Sequence, residues 1–241
     1  MTDSSDSSPV ATDRRPLSSG DSAPARETVA LRPIGTPMPV GLFGLAAATL
    51  VSAGFELGWV PPTQRLLVGV VLLGFPVALQ LLASVLSFLA RDGVAGSGLG
   101  VLSTTWLVIG AVYVISPPGS TSAALGLLLL VAAAALVLSA GAASLTKLVP
   151  AAVFLVSGVR FALTGLHQLT ASVAWREAAG IVGLILAALA LYTAFALELE
   201  GTLGRTVLPL LRRGVGQRAV GGSLSEQLEG VEAEAGVRKA L

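Results

Sequence analysis

Cysteine is absent from the 241 residues and histidine occurs once, as His167. No disulfide, thiolate nucleophile or cysteine-type zinc site can form, and one imidazole is no metal-ligand set, so neither a metal nor a cofactor is expected. Charge is also scarce. Asp, Glu, Lys and Arg make up 12% of the chain, against roughly 25% in soluble domains. Net charge is +1, and no basic patch interleaved with aromatics exists, which argues against a nucleic-acid partner. The first 39 residues contain no apolar run, so no cleavable secretory signal is expected. With no Cys, one His and no clustered acids in its apolar blocks, the chain lacks the groups of a membrane-embedded enzyme.

What is present is hydrocarbon. Hydrophobic residues reach 54% and mean hydropathy is +0.82. They come in blocks near the length of about 20 residues that spans a bilayer core as a helix. Six blocks are read, at Val40 to Val60, Leu66 to Ala90, Leu99 to Ile115, Ala123 to Ala143, Leu148 to Leu166 and Ala178 to Leu199. Turn formers separate them: Pro61-Pro62, Asp92 to Gly98, Pro117-Pro118-Gly119, Thr146-Lys147 and Gln168 to Arg176. Barrel strands would alternate polar and apolar residues, which these blocks do not. Backbone groups in lipid must bond within their own segment, leaving helices. The expected fold is an all-α integral membrane protein of six transmembrane helices, with the lipid bilayer as its principal partner.

Lysine and arginine set the orientation. With both termini cytoplasmic, twelve lie inside, among them Arg91, Lys147, Arg205, Arg212 and Arg213, and two outside, Arg65 and Arg176. The expectation is a multi-pass protein of the cell membrane. Residues 1–35, rich in Ser, Asp and Pro, read as a disordered cytoplasmic tail. Residues 36–210 form the membrane domain, and 211–241 a cytoplasmic tail. Arg205, Arg212 and Arg213 are placed at anionic headgroups. From Ser223, the spacing of Leu224, Leu228 and Val231 among glutamates suits a short amphipathic helix, the alternative being a solvated acidic tail.

An ionisable side chain in hydrocarbon costs about 2.5 to 3.5 kcal/mol on insertion scales, so those retained should face the bundle interior. Three helices carry polar stripes at helical spacing: Thr49, Ser52 and Glu56; Gln80, Ser84 and Ser87; Ser157, Arg160, Thr164 and His167. They suit a hydrated path, or hydroxyls that bond their own helices. Glu56 and Arg160 fall at similar depth. Three readings of Arg160 stay open: an ion pair with Glu56, a guanidinium offered to a carboxylate in the path, and an arginine snorkelling to the interface. His167, at its helix end, is either a proton relay or polar edging. Thr36-Pro37-Met38-Pro39-Val40-Gly41 opens the first helix, and the exposed amides behind the prolines are suited to an anion.

These last residues, continued to Leu42, resemble the Asn-Pro-Ala-Pro-Leu-Gly-Leu motif of the acetate uptake transporter family, the YaaH-type bacterial succinate-acetate permeases. The ending Gly204-Arg205-Thr206-Val207-Leu208-Pro209 is similar to that family's Gly-Arg-Thr-Val-Leu-Pro, and the likeness runs from Ile34 to Leu210. It implies a six-helix protomer, a homo-oligomer of hexameric form, and uptake of a small organic anion such as acetate, coupled to protons or channel-like. Thr36, Pro37, Pro39 and Gly41 then line the inner mouth. Leu45, Thr105 and Ser157 fall where the family narrows its pore with phenylalanine, tyrosine and leucine, and Gln80 matches a family glutamine. Thr36 replaces the motif's asparagine, Ser87 stands where a glutamate is usual, and Arg160 is additional. These departures leave two alternatives: a non-transporting membrane sensor or scaffold, and a channel for another small solute such as ammonium.

Overall fold

A computed structural model describes residues 35–221, to which every structural statement below refers. The expected N-terminal tail up to residue 34 and the amphipathic stretch from Ser223 lie outside the described residues. Eight α-helices follow in order: α1 (Met38–Glu56), α2 (Arg65–Gly74), α3 (Pro76–Leu89), α4 (Gly93–Ile115), α5 (Ala123–Ser144), α6 (Leu148–Thr170), α7 (Val173–Leu203) and α8 (Gly214–Gly221). Six spans are long and apolar enough to cross a membrane, α2 and α3 with a leading 3₁₀ turn, Pro62–Gln64, making up the second. The all-helical, multi-pass architecture is therefore the one expected from the apolar blocks.

Neighbouring spans pack in a closed circuit: α1 on α3, α2 and α3 on α4, α4 on α5, α5 on α6, α6 on α7, and α7 back on α1. Small residues set the approach distances, because helices in lipid gain little from burying apolar surface and associate through close packing. Gly69 of α2 meets Gly110 of α4 so closely that a Cβ on Gly69 would lie 2.8 Å from the Gly110 carbonyl oxygen. Gly126 and Gly165 do the same between α5 and α6. Outward faces carry exposed Leu, Val, Ile and Phe, among them Leu66, Val70, Leu138 and Ile185. That pattern suits hydrocarbon as solvent.

Several boundaries differ from the sequence reading. The second span breaks at Phe75, because Pro76 lacks an N–H and its ring opposes the preceding turn. The third begins at Gly93 rather than Leu99. Asp92 caps it, its carboxylate accepting from the Ala95 amide at 3.0 Å. The glycines that read as a loop are packing sites: a Cβ on Gly96 would sit 2.9 Å from the Phe88 ring, and Gly98 abuts Phe154. Between the last two spans the expected turn from Gln168 to Arg176 shrinks to Ala171-Ser172, with Ala171 left-handed at φ 55°. α1 closes at Glu56, and Gly58, at φ 80°, turns the chain.

Two arginines, Arg65 counted on the outer side and Arg212 expected at the headgroups, are engaged by the protein. Arg65 is buried; it donates to the carbonyl oxygens of Ser116 and of Pro117 (2.8 Å), and its guanidinium lies 5.0 Å from the centre of the Tyr113 ring. It thus neutralises the carbonyl end of α4. Arg212 folds back onto α7: its Nε donates to Glu200 Oε2 at 3.0 Å, and Nη2 contacts Oε1 of the same carboxylate. The same segment pairs with the α5–α6 turn, as the amides of Leu148 and Val149 donate to the Leu211 and Leu210 carbonyls.

Candidate functional site

The polar stripes converge on the interior. Thr49, Ser52 and Glu56 of α1, Gln80, Ser84 and Ser87 of α3, Thr105 of α4, and Ser157, Arg160 and Thr164 of α6 are all buried. Most hydroxyls are satisfied by their own helix. Thr49 donates to the Leu45 carbonyl (2.9 Å), Thr105 to Val101 (2.7 Å), Ser157 to Val153 (2.7 Å) and Thr164 to Arg160 (3.1 Å). Ser84 instead joins two helices, donating to the Gly96 carbonyl at 2.7 Å.

At the centre, Arg160 Nη2 donates to Glu56 Oε2 at 2.9 Å, with both side chains buried. Beneath the guanidinium lies Trp106 of α4, 5.2 Å from its Cζ to the ring centre, and that ring meets Phe161 edge to face at 5.4 Å. Room for the pair comes from α7. A Cβ on Gly183 would lie 2.8 Å from Arg160 Nε, and one on Gly180 would press on Leu57 and the Glu56 Cβ. Of the three sequence readings of Arg160, the ion pair is the arrangement present.

Several buried polar atoms have no hydrogen-bonding partner in the protein: at the pair, the Trp106 indole nitrogen and Arg160 Nε; elsewhere in the bundle, the hydroxyls of Ser52 and Ser87 and both atoms of the Gln80 carboxamide, the last against Gly44 of α1. Such groups cost free energy in a dry interior, so each marks a place where water or a polar solute is accommodated.

Thr36 is exposed and Pro37 half-buried, whereas Pro39, Gly41 and Leu45 are buried on the inward side of α1. A polar cavity of about 250 Å³ opens beside Thr36, lined also by Lys147, Leu197, Glu200, Arg212 and Val220. A smaller one of about 170 Å³ lies between Thr36, Pro39, Glu198 and Thr202. Residues Leu45, Gln80, Thr105 and Ser157 come from four different helices, and each is buried in the bundle. His167 stands apart: it is half-buried and its Nδ1 lies 2.9 Å from the Ser172 carbonyl oxygen, tied to the α6–α7 turn. Among the described residues no group of three or more His, Asp or Glu could hold a metal ion.

Trp106, Gly180 and Gly183 were not singled out as site residues from the sequence. Trp106 counts as apolar by composition, and its one signal was position, next to Thr105 in a span. The two glycines repeat at i and i+3 on α7, a spacing that marks a close-packed helix face.

A family model described as the GPR1/FUN34/yaaH family matches residues 19–203. No curated protein sequence matches. Among solved structures, the chain is similar to one titled "Structure of the bacterial acetate channel SatP", with a TM-score of 0.66 and 22% sequence identity, over 73% of this chain and 99% of that one. At this identity the likeness establishes a common fold.

Proposed function

The chain belongs to the GPR1/FUN34/yaaH family, and on that premise we propose that it is a membrane transporter or channel for small monocarboxylate anions such as acetate. The similar solved fold is that of a bacterial acetate channel. One observation carries the reading: the wholly buried Gln80 carboxamide has neither of its polar atoms bonded within the protein. A group so placed is stabilised by a polar occupant passing between α1, α3 and α4.

In this reading Thr36, Pro37, Pro39 and Gly41 form the inner mouth beside the polar cavities, Leu45, Gln80, Thr105 and Ser157 line the path, and Arg160 supplies the attraction for an anion. Position on the same end of the bundle supports cytoplasmic placement of both termini, where arginine and lysine are concentrated. The cell membrane, a hexameric assembly and proton coupling belong to the same proposal, as does the absence of catalysis.

Flux into proteoliposomes tests it, with acetate, lactate, succinate and ammonium offered separately. Saturable acetate or lactate entry is expected, with succinate slower. A second reading, a membrane sensor or scaffold of the same fold, is favoured by the commitment of Arg160 to Glu56. Absence of flux above that of empty liposomes for every solute would favour the sensor; entry of ammonium alone would favour a channel for a different solute.

A further inference from the structure

The Glu56–Arg160 pair has the composition of an occupied binding site. A guanidinium offers five donors in a planar fork and takes a carboxylate by two parallel bonds when nothing prevents it. Here Arg160 reaches Glu56 through Nη2, which donates to Oε2 at 2.9 Å, while its buried Nε has no partner. Trp106 offers a second unpartnered donor, its indole N–H, from the ring that the guanidinium covers. Two more facts bear on Glu56. It is the last residue of α1, followed by Leu57 and the left-handed Gly58, so its backbone lies at a helix end where the chain turns. Its flank on α7 is Gly180, which places no side chain in its way.

Resting on the anion-transport reading, we propose that Arg160 and Trp106 form a carboxylate-binding site kept occupied by the chain's own Glu56, and that a small monocarboxylate enters by taking the place of Glu56. The exchange substitutes one carboxylate for another on Arg160, so the buried cation keeps a counter-charge throughout. The displaced Glu56 then needs a proton or another cation. The charged and titratable groups facing it are Arg160 from α6, Arg176 from α7 and Tyr113 from α4, with the Thr164 hydroxyl from α6; Arg65 lies beyond, against Tyr113. Arg176 is exposed and can follow the displaced carboxylate towards water. Protonated Glu56 leaves the guanidinium free, so binding of the acetate anion strengthens as pH falls.

Trp106 provides the readout. With Trp59 and Trp175 replaced by phenylalanine, the detergent-solubilised protein retains one indole, beside Arg160. Acetate should change its emission saturably, more tightly at pH 5.5 than at pH 7.5, and acetamide, its uncharged analogue, should not. Glu56→Gln should bind acetate about tenfold more tightly and lose the pH dependence, a change of about 1.4 kcal/mol. Arg160→Gln should abolish the response. The inference is overturned if acetate leaves Trp106 emission unchanged at concentrations that saturate wild-type flux. It is also overturned if Glu56→Gln and Arg160→Gln each lose folded protein while the double variant regains both fold and wild-type acetate affinity, the behaviour of a purely structural pair. Wild-type proteoliposomes that conduct no acetate would instead fail the transport reading, which separates the two.

Discussion

Gln80 is a residue whose two polar atoms are buried without a partner in the protein. In a dry interior each such atom costs about 1 to 3 kcal/mol, and Met has nearly the same shape without it. Gln80→Met should therefore raise the midpoint of thermal unfolding in detergent, while lowering acetate flux by about tenfold or more. A gain in stability with unchanged flux would remove Gln80 from the path. Arg160 and Gln80 were legible in the sequence because hydrocarbon makes every polar side chain conspicuous. Trp106 was not, since an indole ring hides its one donor in an apolar side chain. The Glu56–Arg160 contact joins residues 104 positions apart. Equal depth made the pair one reading among three; only packing of α1 against α7 and α6 against α7 brought the two ends together.

The elements show where local pattern was enough and where it was not. Runs of apolar residues announced each span, yet glycine was ambiguous. Gly93 to Gly98 read as a loop, whereas Gly96 and Gly98 exist to admit Phe88 and Phe154 against α4. Conversely Pro76 acted by local sterics alone and split the second span. The segment after α7 is the least local of all. Thr206 Oγ1 donates to Glu200 at 2.9 Å, Tyr192 donates to the Pro209 carbonyl at 3.0 Å, and Arg212 closes on Glu200. Residues resembling the family's Gly-Arg-Thr-Val-Leu-Pro ending thus lie back on α7, and Leu210, Leu211 and Arg213 just after them fasten the turn between α5 and α6. Arg212→Gln leaves the Glu200 carboxylate without its cation, at a cost of about 1.5 to 3 kcal/mol. Faster amide exchange at Leu148 and Val149, with the bundle otherwise intact, is the expected outcome of hydrogen-exchange measurements.

For the whole molecule, six spans require both ends of the chain to leave the same face. The beginning of α1 and the end of α7 do so, since Thr36, Glu200 and Arg212 border one cavity. Accessibility tags fused to the two termini should both be protected in intact cells and both become cleavable when the membrane is opened. Labelling of one terminus alone from outside would contradict the six-span reading.

Amino-acid order by itself determined that the chain lives in lipid, how many times it crosses, and which few polar residues must turn inward, because the cost of polarity in hydrocarbon is paid residue by residue and needs no partner to be known. The tertiary structure alone decided which of those residues meet. Arg160 has Glu56, Trp106 and the Gly183 notch around it because four helices from distant parts of the chain close on one another. That closure depends on side-chain shape across interfaces, which periodicity along one helix does not encode.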